Sequence, residues 1–209
     1  PGVLAALLER GANPNARLDK QLPFVSRRIL QANGLAPSDI GATPFFLAAS
    51  FGDLETMRLL VDSGADPLAR VNDGTTALMV AAGADYVDGA DKYGRRWFGD
   101  NLPLQESALD TITFLLDRGL DINATNDYKQ TTLHAAVYLG GTLLVPFLVE
   151  QGADLNAINA RGQAPWLIAV EMRNGIVLER SHATWLGIGL GLGLGLGSGL
   201  GLGLGLGLG

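Results

Sequence analysis

The sequence Thr-Thr-Leu-His-Ala-Ala (residues 131–136), followed by Gly-Ala-Asp-Leu-Asn (residues 152–156), sets the pattern for most of this 209-residue chain. The first motif has three further, looser copies, which begin at Thr43, Thr76 and Ala164. The second motif has three further copies, which begin at Gly11, Gly64 and Gly119. A repeated unit of 33 residues with Leu-rich helical patterns predicts helix pairs that stack and bury their apolar faces against one another.

Each motif contains residues that begin or end a helix. A Thr in front of an apolar helical pattern can accept hydrogen bonds from the free amide groups of the first turn. Paired alanines, such as Ala135 and Ala136, allow neighbouring helices to approach closely. A glycine after the last turn, such as Gly152, ends a helix in the left-handed conformation without a Cβ penalty.

The two motifs resemble the Thr-Pro-Leu-His-x-Ala signature and the helix-ending turn of the ankyrin repeat family. The resemblance implies an all-α solenoid of about four to five helix-pair repeats over residues 1–180. The sequence Ala-Ala-Gly followed by an aromatic and Asp-Gly-rich stretch (from residue 81) resembles ankyrin proteins of bacterial type. Because residues 3–17 form only the second half of a repeat, we expect Leu4, Leu7 and Leu8 to lean on an upstream helix, an insertion or another chain.

The first insertion lies at about residues 18–38. Gly11 and Thr43 are 32 residues apart, whereas the later copies of these motifs are 12 apart, so about 20 residues are inserted. A short helix is predicted over residues 25–32. The insertion is either a tolerated surface excursion or a partner-binding finger, since insertions in repeat proteins gather on one face that is often the binding face. Its candidate partner-binding residues are Phe24, Arg27 and Arg28.

The second insertion lies at about residues 84–105, inside the third repeat. Thr76 and Gly119 are 43 residues apart, whereas the same motifs of the fourth repeat are 21 apart. We expect the second helix to resume at about Glu106.

The second insertion has three interpretations. It could pack its aromatic side chains on the solenoid, or it could bind a partner, because its residue types are those of interaction hot spots. The candidate partner-binding residues are Tyr86, Tyr93, Arg95, Arg96, Trp97 and Phe98. It could also hold a hard cation, although the EF-hand spacing is absent. The oxygen ligands would be Asp85, Asp88, Asp91 and Asp100.

Composition argues against several functions. A net charge of −6 and the lack of long basic runs argue against nucleic acid as a partner. The chain has no cysteine and two histidines, His134 and His182. His134 occupies the family's structural position, so we expect no catalytic residues, no metal and no cofactor.

Residues 181–209 form a low-complexity tail, in which Gly alternates with Leu, Ile or Ser from residue 186 onwards. We expect an extended tail, because the alternation has a period of two and helical wrapping would spread Leu evenly around the axis. A strand of this pattern favours β-type self-association through residues 186–209. Membrane contact, a disordered linker and a simple-repeat artefact are the alternatives.

The sequence therefore predicts a non-enzymatic protein–protein interaction module or scaffold that uses its inner helix face and inserted loops. The alternative is a structural subunit of a filament or membrane-associated assembly, built through the Gly-Leu tail. The partner is another protein of unknown identity. The location is unknown, with the bacterial cell envelope or the extracellular space slightly favoured over the cytoplasm.

Overall fold

The computed structural model describes residues 2–20, 40–84 and 102–173, of which 102–104 and 171–173 are described by their backbone alone. These residues contain α-helices and turns and no strand. The helices are α1 Gly2–Glu9, α2 Pro44–Phe51, α3 Leu54–Asp62, α4 Ala77–Ala81, α5 Leu102–Leu116, α6 Thr132–Leu139, α7 Leu144–Glu150 and α8 Pro165–Arg173.

The helices form stacked pairs, as the repeat pattern predicts. α2 pairs with α3, α4 with α5 and α6 with α7, which gives repeats two, three and four. The first helices of successive repeats, α2, α4, α6 and α8, contact one another in chain order, and α5 contacts α7 in the second layer. α1 is the second helix of repeat one, and α8 is the first helix of repeat five. The prediction of an all-α repeat solenoid is confirmed.

Threonine caps begin three of the first helices. The side-chain oxygens of Thr43 and Thr76 accept the amide hydrogens of Phe46 and Met79, each at 3.2 Å. Thr131 forms a reciprocal capping box with His134. Each such cap stabilises the protein by about 0.5–2 kcal/mol relative to Ala, so the capping predicted from the motif is confirmed.

The core lies between the helix layers and contains both large side chains and alanines. Phe45 and Leu78 occupy the same position of successive repeats, and both are fully buried. Gly83 shows how closely repeats three and four approach, because a Cβ at this position would lie 2.9 Å from the Cβ of Leu139. Only glycine fits there without displacing its neighbour.

α5 begins at Leu102, four residues before the predicted start at Glu106. Pro103 lies in the first turn, where its missing N–H leaves no hydrogen bond unmade. The extra turn is anchored to the next repeat, because the Oε1 atom of Gln105 accepts the amide hydrogen of Leu143 at 2.7 Å. The predicted start at Glu106 is therefore wrong by this one turn.

α1 rests on the stack by one edge. Leu4 and Leu8 pack against the core, whereas Leu7 is 53% exposed. The residues at the position of Leu7 in the next three repeats are all 0% exposed. They are Leu60, Leu115 and Leu148. The contacts expected for Leu7, with the insertion or with another chain, lie outside the described residues.

Three predicted features lie outside the described residues. They are the short helix of residues 25–32, the second helix of repeat five and the tail of residues 181–209. Among the helices that are described, none has the length and apolar character needed to span a membrane.

Candidate binding surface

The first helices are preceded by tight turns that share one hydrogen-bonding pattern. Val71 donates its amide hydrogen to the carbonyl of Thr75 at 3.2 Å, and Asn126 donates to the carbonyl of Gln130 at 3.2 Å. The equivalent bond of repeat five, from the amide of Asn159 to a carbonyl four residues later, measures 3.0 Å. The described turn residues 40–41, 72–74, 127–129 and 160–162 are called the turn row below.

Backbone hydrogen bonds join each turn to the next. The amides of Asn72, Asp127 and Ala160 each donate to a carbonyl in the preceding turn, at 2.9, 2.8 and 2.8 Å. The acceptors are the carbonyls of Ile40, Asp73 and Tyr128. The turn row is thus a continuous, ordered edge at the amino-terminal ends of the first helices.

The first insertion belongs to this edge. Leu18 donates its amide hydrogen to Ala42 at 2.9 Å and accepts the amide hydrogen of Gly41 at 2.8 Å. Leu18 and Ala42 stand where Val71 and Thr75 close the turn of repeat three. The chain between Leu18 and Ile40 therefore leaves from, and returns to, a turn. The candidate residues Phe24, Arg27 and Arg28 lie in its undescribed part.

The second insertion leaves the solenoid at the opposite edge. It follows Ala84, after the carboxyl end of α4, and the described chain resumes with α5. The two insertions are therefore attached at opposite ends of the first helices. Residues 85–101, which include the aromatic candidates and all four aspartates of the cation hypothesis, lie outside the described residues. The remaining described side chains contain no group of three or more potential metal ligands.

Asparagines join the closing motifs of successive repeats. Asn123 donates from Nδ2 to the carbonyl of Gly152 at 3.0 Å, and its Oδ1 accepts the amide hydrogen of Asp154 at 2.8 Å. Asn15 makes the same two bonds to repeat two, at 2.9 and 2.7 Å. Leu68 occupies this position in repeat two and cannot make them. The asparagine recurs in the sequence motif, but the bridge that it forms between repeats is visible only in the structure.

The turn row contains exposed residues that the sequence analysis did not select. Tyr128 is 37% exposed, and Lys129 and Arg161 are exposed beside it. Lys129 has a φ of 54° and is the one non-glycine residue with a positive φ among those described. Its counterparts Gly41, Gly74 and Gly162 are glycines with positive φ. A side chain with a Cβ in this backbone conformation costs about 1 kcal/mol of folding free energy. The replacement of the recurring glycine by Lys129 is the signal in the sequence that could have identified this turn.

His134 has a structural role. Its Nδ1 atom accepts the amide hydrogen of Thr131 at 3.1 Å, and its Nε2 atom lies 3.0 Å from the carbonyl of Gln163, so the network assigns the neutral tautomer with Nε2 as the donor. Burial lowers the pKa of His134, although the contact with Gln163 opposes the shift. The ring is fully buried. No catalytic arrangement surrounds it within the described part of the chain.

A stack of helix pairs joined by a row of linked turns defines a repeat protein of the solenoid class. Three family models match, described as ankyrin repeats in three copies (residues 19–91), ankyrin repeats in many copies (residues 104–143) and a single ankyrin repeat (residues 128–160). Together they cover more than half of the chain. The chain belongs to the ankyrin repeat family.

A curated relative is the probable 26S proteasome regulatory subunit p28 of Saccharomyces cerevisiae. The two proteins are 29% identical over 111 residues, which is 52% of this chain. The matched region spans 39% of the length of that relative.

Proposed function

We propose that this chain is a non-catalytic protein-binding module. The observation that carries the proposal is the turn row, where consecutive turns are joined by backbone hydrogen bonds of 2.8–2.9 Å. Such an edge presents side chains in a fixed arrangement, which lowers the entropy lost when a partner binds. The name of the yeast relative, a regulatory subunit, supports a role within a protein assembly.

The proposal assigns the main contacts to the inner helix face and the inserted loops. The first insertion is rooted in the turn row by the two hydrogen bonds between Leu18 and residues 41–42, and this supports its use as a finger. The candidate contacts are Phe24, Arg27, Arg28, Tyr86, Tyr93, Arg95, Arg96, Trp97 and Phe98. The buried state of His134 and the absence of cysteine from the sequence support a role without catalysis.

The test compares the full chain with two substituted versions of it. One carries alanine at Phe24, Arg27 and Arg28, and the other at Tyr93, Trp97 and Phe98. Each protein is crosslinked in an extract of the source cells, and the partners and crosslinked residues are identified by mass spectrometry. We expect a partner that crosslinks to an insertion and is lost from at least one variant. Crosslinks confined to other surfaces, or an unchanged partner set, would reject these loops as the binding site.

A structural subunit built through the Gly-Leu tail is the second candidate. The strict alternation over residues 186–209 supports it, because one face of such a strand is apolar and the other is bare glycine. Deletion of 186–209 should then abolish assembly, measured by light scattering and electron microscopy, and should leave partner capture intact. Assembly that survives the deletion would reject this candidate.

A further inference from the structure

Two adjacent turns in repeats four and five differ from the rest of the turn row. At the position two residues before the helix-capping position, three repeats have glycine and repeat four has Lys129. Lys129 keeps the left-handed backbone that the glycines adopt, with a φ of 54°. This conformation is unfavourable for a residue with a Cβ. A side chain placed at this cost points to a use for it outside the turn.

No interaction within the described structure accounts for the Lys129 side chain. Lys129 is exposed, and it forms no ion pair with any other described residue. Its amide hydrogen closes the turn on the carbonyl of Asn126 at 2.8 Å, a bond that glycine would make equally well. The small side chain of Ala160 stands where the preceding repeats have Asn72 and Asp127.

Hydrogen bonds fix the backbones that carry the neighbouring side chains of the two turns. Tyr128 donates its amide hydrogen to Oδ1 of Asn126 at 3.0 Å, and its carbonyl accepts the amide hydrogen of Ala160 at 2.8 Å. Arg161 donates its amide hydrogen to Oδ1 of Asn159 at 2.9 Å. Tyr128 and Arg161 occupy the same position of neighbouring turns, so an aromatic ring and two cations project from one ordered edge.

Charge changes sign along this edge. Asp73 and Asp127 lie towards repeat three, and the Asp127 carboxylate approaches Gly74, with Oδ1 at 3.7 Å from a Cβ built there. Lys129 follows Asp127 by two positions in the turn of repeat four, and Arg161 lies in the turn of repeat five. A long polyanion such as nucleic acid would extend over both aspartates and be repelled. A short anionic ligand can contact Lys129 and Arg161 without extending over Asp73.

We propose that Tyr128, Lys129 and Arg161 form a docking surface for a short acidic segment of a partner protein, with an apolar residue of that segment on the Tyr128 ring. This inference rests on the proposed protein-binding function and names the chemistry of one contact. Lysine and arginine hold carboxylates by charge-assisted hydrogen bonds, and an aromatic side chain is a frequent anchor at such surfaces.

The probe is a fluorescein-labelled heptapeptide, Gly-Asp-Glu-Leu-Asp-Glu-Gly, titrated with the full chain and followed by fluorescence anisotropy. A peptide with lysines in place of the acids tests the sign of the charge, and one with phosphoserines in place of the aspartates tests phosphoryl groups as the anion. We expect binding of the acidic peptide that weakens from 50 to 300 mM salt, because exposed charges are screened. The lysine peptide should not bind.

The variants separate docking from folding. Lys129→Gly should raise the urea midpoint, because it removes the left-handed side chain, and should weaken peptide binding about fivefold. Lys129→Gly with Arg161→Ala should weaken it further. Arg10→Ala removes a cation in repeat one, away from these turns, and should leave binding unchanged.

Three outcomes decide against the proposal. Absence of acidic-peptide binding, equal binding by the lysine peptide, or equal binding by the double variant would overturn it. Stronger binding of the phosphoserine peptide, lost in the double variant, would support the same surface with a phosphorylated segment as its ligand. The insertion variants should bind the peptide normally, so failure of this site is distinguishable from failure of the proposed function.

Discussion

Asn123 holds Asp154 of the next repeat through a 2.8 Å hydrogen bond from the Asp154 amide to the asparagine Oδ1 atom. With the bond from Asn123 Nδ2 to Gly152, it ties the closing motifs of repeats three and four together. Asn15 does the same between repeats one and two. Between repeats two and three the position belongs to Leu68, which is 55% exposed. This junction therefore lacks a bridge that its two neighbours have.

Leu68→Asn should stabilise the protein by about 1 kcal/mol, because it supplies two hydrogen bonds and removes an exposed apolar side chain. The measurement is the urea midpoint of the full chain followed by circular dichroism. Asn123→Leu is the matched control and should destabilise by about 1–3 kcal/mol, since it leaves two backbone groups without their partner. A lower midpoint for Leu68→Asn would show that this junction differs from the others in geometry.

Gly83→Ala should destabilise the protein more than Gly162→Ala. Both glycines have positive φ, so both substitutions carry the backbone penalty of about 1 kcal/mol. Only Gly83 faces a neighbour, because its added Cβ would lie 2.9 Å from Leu139, whereas Gly162 has nothing within 4 Å. Overpacking adds about 1–3 kcal/mol. Equal urea midpoints for the two variants would mean that repeats three and four separate easily at this point.

His134 should make stability fall in mild acid. Burial holds its pKa below the ordinary value of 6.5. Above pH 6.5 the ring is neutral in both states and the shift has no effect on stability. As the pH falls below 6.5, the unfolded chain binds a proton that the folded chain does not, so the free energy of unfolding decreases until the folded pKa is reached.

His134→Met provides the comparison, because Met79 occupies the equivalent position in repeat three. The variant should be less stable at pH 7.5, where it loses the bonds to Thr131 and Gln163, and its stability should change less between pH 7.5 and 5. His182 is present in both proteins, so its titration cancels in the difference. Parallel pH profiles would contradict a buried neutral histidine.

The repeats could be predicted from the sequence because their motif residues act through interactions with residues close to them in the chain. Thr43, Thr76 and Thr131 cap their helices by a bond to an amide three residues away, which depends on no distant partner. The start of α5 could not be predicted in this way. Its first turn is held by the contact between Gln105 and Leu143, 38 positions apart, and local sequence contains no record of such a contact.

The candidate site could be predicted only in part. The lengths of the insertions follow from the spacing of the motifs, and the bond between Leu18 and Ala42 shows that the first insertion begins and ends at a turn. The proposed docking surface does not follow from the motif, because Tyr128 and Lys129 lie inside the repeat that fits the motif best. The signal in the sequence is that Lys129 replaces the glycine of the other turns.

Arg58→Ala should weaken the junction between repeats two and three. The Arg58 guanidinium of α3 lies 5.0 Å from the centroid of the Phe114 ring in α5, and Arg118 lies over the same ring at 3.3 Å. Of the two arginines, Arg58 contacts Phe114 across the junction between repeats two and three, where Leu68 replaces the bridging asparagine. A cation–π contact of an exposed side chain is worth about 0.5–1 kcal/mol, so we expect a loss of that size.

Arg118→Ala is the internal comparison and should have the larger effect, because Arg118 is closer to the ring and also donates to the Phe114 carbonyl at 3.0 Å. Arg10→Ala, which removes an exposed arginine in repeat one, controls for the change in net charge. If the junction depends on Arg58, the loss should be smaller once Leu68→Asn has supplied the asparagine bridge. Additive urea midpoints in that double variant would show that the two contacts stabilise the junction independently.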